Sequence, residues 1–163
     1  MITLTPAENR LRDFLIEQAR TADPGDPETS TITYTVLAET LDPDMTLGLN
    51  QPGPRTGRLT TALYHLNKHE HERHRPLVGA FAVSKGGDRT SDSGFAGLAR
   101  DELGFDIPED KAAERAFWRG QLDQSVEYWS RDREDGALTD AQFTTIMAEL
   151  ATIKRMLRQL MHG

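Results

Sequence analysis

The sequence predicts a mainly α protein with a small β-hairpin, completed by a C-terminal helical extension that carries a heptad seam. Three observations lead there. Apolar residues recur at helical spacing through most of the chain, as at Leu59, Ala62, Leu63 and Leu66. One apolar run, Leu77 to Ser84, is short enough for a buried strand and meets a Lys85-Gly86-Gly87-Asp88 turn. Near the C-terminus Phe143, Ile146, Leu150, Ile153, Leu157 and Leu160 keep a 3-4 rhythm over nearly three heptads. A length of 163 residues suits one ordinary core with an appended element, so residues 1–104 are expected to form the body and 105–163 the extension.

The elements follow in order. Thr5-Pro6-Ala7-Glu8 reads as a helix start: Thr5 caps the free amides, Pro6 takes the first helical position and Glu8 stands three residues after the cap. The helix runs to about Arg20, with Leu11, Phe14 and Leu15 as its apolar stripe, before the loop TADPGDPETS. Thr31 to Tyr34 is a short extended piece leading into a second helix, Val36 to Leu41, capped by Thr33 or Thr35. After a Gly/Pro-rich loop a third helix is expected from about Arg55 to Asn67 or slightly beyond. Pro76 precedes the strand, and Gly94-Phe95 is placed to return beside it before a helix bearing Phe95, Leu98, Ala99 and Leu103, ended by Gly104. A longer helix is expected from Pro108 to about Trp129. Its Trp118, Leu122, Val126 and Trp129 share one side, which points to core or interface packing. Thr139 and Gln142 make a capping pair for the last helix.

Composition narrows the functional classes. Hydrophobic residues at 37% and charged residues at 28% are those of a globular chain, and no apolar run approaches the roughly 20 residues of a membrane span. With no cysteine, disulfides, thiolate metal sites and cysteine nucleophiles are excluded together. The N-terminal residues carry no secretory pattern, so a cytoplasmic location is expected. A composition rich in Arg, Asp, Thr and Ala and poor in Lys suits a bacterial or phage source with a GC-rich genome. No nucleophile, base and orienting acid stand at recognisable spacing, and the expectation is a non-enzymatic protein without a cofactor.

Charge is distributed unevenly. Residues 51–90 hold seven Lys/Arg against three acids, whereas residues 1–50 carry a net −6 and residues 91–163 a net −5 in a chain of −7. A basic island on a helix and the strand after it has the pattern of a phosphate-binding surface. The island also holds His65, His69, His71 and His74. HEHERHR contains no HExxH spacing, and one helix cannot aim His69 and His71 at the same ion, so the pattern favours a pH-sensitive basic face over a metal site.

The stretches TYTVLAETL and GPRTGRLTTALYHLN resemble the second and third helices of bacterial winged helix-turn-helix proteins, and the resemblance spans roughly residues 5–95. Winged-helix proteins of the alkyltransferase-like kind share the rhythm, but the chain lacks their Pro-Cys-His-Arg site and hence their repair chemistry. The resemblance implies double-stranded DNA as partner, as for a transcriptional regulator. Arg55, Thr56, Arg58, Thr60 and Thr61 would open the recognition helix, and Lys68, Arg73, Arg75, Lys85 and Arg89 would contact phosphates. The C-terminal seam, Phe143, Ile146, Leu150, Ile153, Leu157 and Leu160, is expected to form a homodimer interface, the alternative being a helical hairpin within one chain. A second functional class is a protein-interaction module or inhibitor that uses the same scaffold without touching nucleic acid.

Overall fold

The computed structural model describes residues 1–42, 58–84, 93–134 and 140–162. Among them lie six α-helices: α1 Pro6–Thr21, α2 Tyr34–Leu41, α3 Arg58–Glu72, α4 Ser93–Asp101, α5 Lys111–Glu134 and α6 Asp140–His162. Two short strands, β1 Ile32–Thr33 and β2 Ala82–Val83, and two 3-10 turns, Pro27–Ser30 and Val78–Phe81, complete the described fold. No described helix is long and apolar enough to cross a membrane.

Local chemistry accounts for the helix starts. Thr5 Oγ1 accepts from the Glu8 amide at 3.2 Å while Glu8 Oε2 accepts from the Thr5 amide at 2.8 Å, a reciprocal capping box that fixes α1. Thr33, of the two threonines weighed, caps α2 by accepting from Val36 N. Gly104 has φ +76, the left-handed conformation that its lack of a side chain permits after α4.

The core forms where α1, α3 and α5 pack around the Val78–Phe81 turn. Leu11 and Leu15 of α1, Leu66 of α3 and Trp118 and Leu122 of α5 close over Val78, Ala80 and Phe81, all fully buried. The hydrophobic core therefore continues past residue 104, with Trp118, Leu122, Val126 and Trp129 inside it. Ion pairs bind the edges: Glu28 meets Arg119 Nη1 at 2.9 Å, and Arg100 joins α4 to α5 through Glu114 at 3.0 Å.

The expected strand and hairpin are corrected here. Residues 78–81 form a 3-10 turn and only Ala82–Val83 are extended, pairing in parallel with β1 as Ile32↔Ala82 and Thr33↔Val83. The partner strand precedes α2, so no hairpin joins the pair. Gly94-Phe95 belongs to α4 and returns along no strand, while the Lys85-Asp88 turn lies outside the described residues. The reason is visible in the hydrogen bonds. Buried backbone groups need partners, and side chains serve this segment in place of a ladder. Leu77 N donates to Gln121 Oε1 at 2.9 Å, Gly79 N donates to Asn67 Oδ1 at 3.1 Å, and Trp118 Nε1 donates to the Ala80 carbonyl at 2.8 Å.

Candidate functional site

The described members of the basic island differ in burial: Arg58 is exposed, Lys68 and Arg73 are half-buried and Arg75 is buried. The most informative of them is Arg75, expected on the surface and instead buried with its side chain entirely out of water. α3 ends in a Schellman motif, in which Arg75 N donates to the Glu70 carbonyl at 3.0 Å and His74 N to that of His71 at 2.9 Å. His74 takes the left-handed position, φ +57. That reversal turns Arg75 back beneath its own helix, where Arg75 Nε lies 2.7 Å from Glu70 Oε2. Arg12 of α1 reaches the other oxygen at 2.5 Å, and both guanidiniums lie over the Trp129 ring, 5.3 and 6.0 Å from its centroid. A phosphate contact at Arg75 is thereby corrected: its charge is committed to Glu70, and its place is the seam between α1, α3 and α5. Burial without pairing is costly for a charge, which is why one carboxylate and two guanidiniums occur together.

The histidines separate in the same way. His65 Nδ1 lies 2.7 Å from Glu8 Oε1, so α3 is tied to the α1 cap. His69 Nδ1 lies 3.0 Å from the Ile2 carbonyl and 3.0 Å from Arg73 Nη1. Only the tautomer with a proton on Nδ1 donates to Ile2, and Arg73 then keeps the His69 carbonyl at 3.2 Å. Ile2 N donates to Glu72 Oε2 at 2.7 Å, and the N-terminal segment thus docks along α3. The His71 ring lies tilted against Phe105, with centroids 5.2 Å apart, and with His74 borders a cleft of about 400 Å³ beside Gln121 and Tyr128.

These contacts set the titration of the cluster. Burial lowers the His69 pKa below the ordinary 6.5; the Ile2 carbonyl opposes that and the Arg73 charge adds to it. For Glu8, burial pushes the carboxyl up, but hydrogen bonds from Thr5 and His65 outweigh it and the net shift is downward. Glu72 is lowered chiefly by the Ile2 amide.

The opening of α3 remains as a surface. Arg58, Thr60 and Thr61 are exposed on its first turn. The two threonines edge an apolar cleft of about 470 Å³ between α3 and α4, lined further by Tyr34, Tyr64, Phe95 and Leu98. Lys68 and Arg73 are half-buried. Arg55, Thr56, Lys85 and Arg89 lie outside the described residues. Sequence reasoning missed Arg12 and Glu70 as partners of the cluster and read Glu8 and Trp129 only as a helix cap and a packing residue, because pairing between distant elements leaves no local pattern.

The seam on α6 presents the larger feature. Ile146, Leu150, Ile153, Leu157 and Leu160 are all exposed, together with Met156 and Met161, and Leu160 and Met161 each keep 79% of their surface in contact with water. Phe143 lies on the same helix, its side chain outside the described ones. The alternative of a hairpin that buries this stripe against α5 within one chain is therefore not the arrangement found. An apolar stripe of this length on one helix has the pattern of an association surface.

The chain matches no family model, no curated protein and no solved structure.

Proposed function

We propose that the chain is a non-enzymatic assembly module, a small helical body that presents α6 for association with further helices, copies of its own among them. The single observation that carries this is the apolar stripe on α6 left in water. Most of the stability of a helix in a protein comes from burial of its apolar face against a partner, and the 23-residue α6 has that face in water. Sedimentation of the intact chain and of Leu150→Asp/Leu157→Asp tests the reading. Wild type should sediment above the 18.2 kDa of one chain at micromolar concentration, and the variant as a monomer. A monomeric wild type with rapidly exchanging α6 amides sinks it.

DNA binding is the second reading, favoured by the exposure of Arg58, Thr60 and Thr61 together on the first turn of α3. Assembly would repeat that turn in each copy, as two-fold half-sites require. Against it stand the commitment of Arg75 to Glu70 and the net charge of −7. Titration with mixed-sequence duplex at low and moderate salt decides. Salt-sensitive affinity that drops in Arg58→Ala supports a phosphate-contacting α3; no binding at low salt removes it.

A further inference from the structure

We infer that α6 assembles four copies of this chain into a parallel four-helix bundle, an inference that rests on the assembly reading above. The residue at each seam position selects the number of helices. With Phe143, Leu150 and Leu157 at a, the d positions are Ile146, Ile153 and Leu160. β-branched residues at a with leucine at d favour two strands, whereas leucine at a with isoleucine at d shifts the preference to higher order. The two central layers of α6 have the second arrangement, Leu150 with Ile153 and Leu157 after it. In the parallel geometry an isoleucine at d and a leucine at a pack with least crowding when four helices surround the axis.

Neighbouring positions widen the stripe. Met147 and Met161 stand at e and Met156 at g, and Met156 and Met161 are exposed in the single chain. Two helices meet along a narrow a/d line and would leave these methionines wet. In a four-helix bundle each helix touches two neighbours, and its e and g positions become contact surface.

Charge fixes the orientation. Within the seam, from Phe143 onward, the charged e and g residues are Glu149 at g and Lys154 at e; Asp140, also at e, stands at the first residue of α6, before the seam begins. Parallel, in-register helices bring g of one heptad beside e of the next on the adjacent helix, so Glu149 faces Lys154 at every interface. Antiparallel packing sets g beside g and e beside e, which places both charges against methionine. Arg155 and Arg158 fall at f and b and stay in water in either case.

Two measurements on the intact chain test this. Sedimentation equilibrium should give four times the 18.2 kDa chain mass. The exchange variant Ile146→Leu/Leu150→Ile/Ile153→Leu/Leu157→Ile keeps composition and apolarity while inverting a and d, and it should halve that mass, with unchanged tryptophan emission certifying the body. The chain has no cysteine of its own, so Leu160→Cys gives an unambiguous cross-link. Parallel helices bring two such residues within the roughly 7 Å that a disulfide spans, while antiparallel ones hold them about 25 Å apart. A wild-type mass of two or three chains, an exchange variant of unchanged mass, or failure to cross-link under oxidation overturns the parallel tetramer and leaves the assembly reading standing. A wild-type monomer overturns the tetramer, and one whose α6 amides exchange rapidly overturns both.

Discussion

Arg75 shows how a single residue can look like a surface cation and be an anchor. Its side chain and that of Glu70 are fully out of water, so replacing one strands the other in a medium that solvates charge poorly. In Arg75→Met, Glu70 keeps Arg12 but loses its closest buried neighbour. Stability should fall by about 3 kcal/mol, the lower end for breaking a buried pair. Urea unfolding measures it, and a loss well below about 1 kcal/mol would return Arg75 to the surface. Acid should act on the same seam in two stages. His69 is held below its ordinary 6.5, so below that pH the unfolded chain binds a proton the folded one resists, and stability declines as pH drops through it. Glu8 and Glu72 are held below 4.5; their contribution is complete above that value and is lost as pH falls through their folded pKa values. Urea midpoints followed from neutral pH downward should show the earlier decline in wild type and not in His69→Gln. None of this was legible from sequence, because Arg12 and Glu70 are 58 positions apart and nothing local marks a charge as destined for burial.

Among the elements, those with local signals were readable. The Thr5–Glu8 cap, the Thr33 cap and Gly104 at the end of α4 are each a few adjacent residues whose chemistry is complete in itself. The segment from Leu77 to Val83 was not, since an uninterrupted apolar run says only that a backbone is buried. Whether it becomes a strand depends on who supplies its hydrogen-bond partners. Here Asn67, Gln121 and Trp118 supply them from α3 and α5, and a 3-10 turn results. Gly79 is where this arrangement is tightest, for a Cβ placed there would lie 2.4 Å from Asn67 Oδ1. Asn67 cannot swing aside without releasing the Gly79 amide. Gly79→Ala should therefore cost about 1–3 kcal/mol, the range of an overpacked core, seen as a lowered melting temperature. An unchanged melting temperature would mean that Asn67 is not pinned.

At the scale of the whole molecule, the described part of the basic island is divided, with Arg73 and Arg75 drawn to partners and Arg58 left exposed, while the apolar stripe of α6 stays in water. Charge counted along a chain says nothing of which cations will meet acids from elsewhere; a heptad seam survives folding because its own helix positions it. Both tryptophans, Trp118 and Trp129, are buried in the core among α1, α3 and α5, whereas Ile146, Leu150, Ile153, Leu157 and Leu160 remain exposed in the single chain. Tryptophan emission thus reports the body alone, and far-ultraviolet ellipticity reports the body together with α6. If α6 owes its helicity to association, dilution should reduce the helical signal while tryptophan emission stays fixed, because an isolated helix of this length frays once its partners leave. Leu150→Asp/Leu157→Asp should show the reduced signal at every concentration. A joint loss of emission and ellipticity on dilution would mean that the body, too, depends on assembly, as in obligate oligomers without a stable monomer. Concentration-independent ellipticity in the wild type, down to nanomolar chain, would show instead that α6 holds its helix alone.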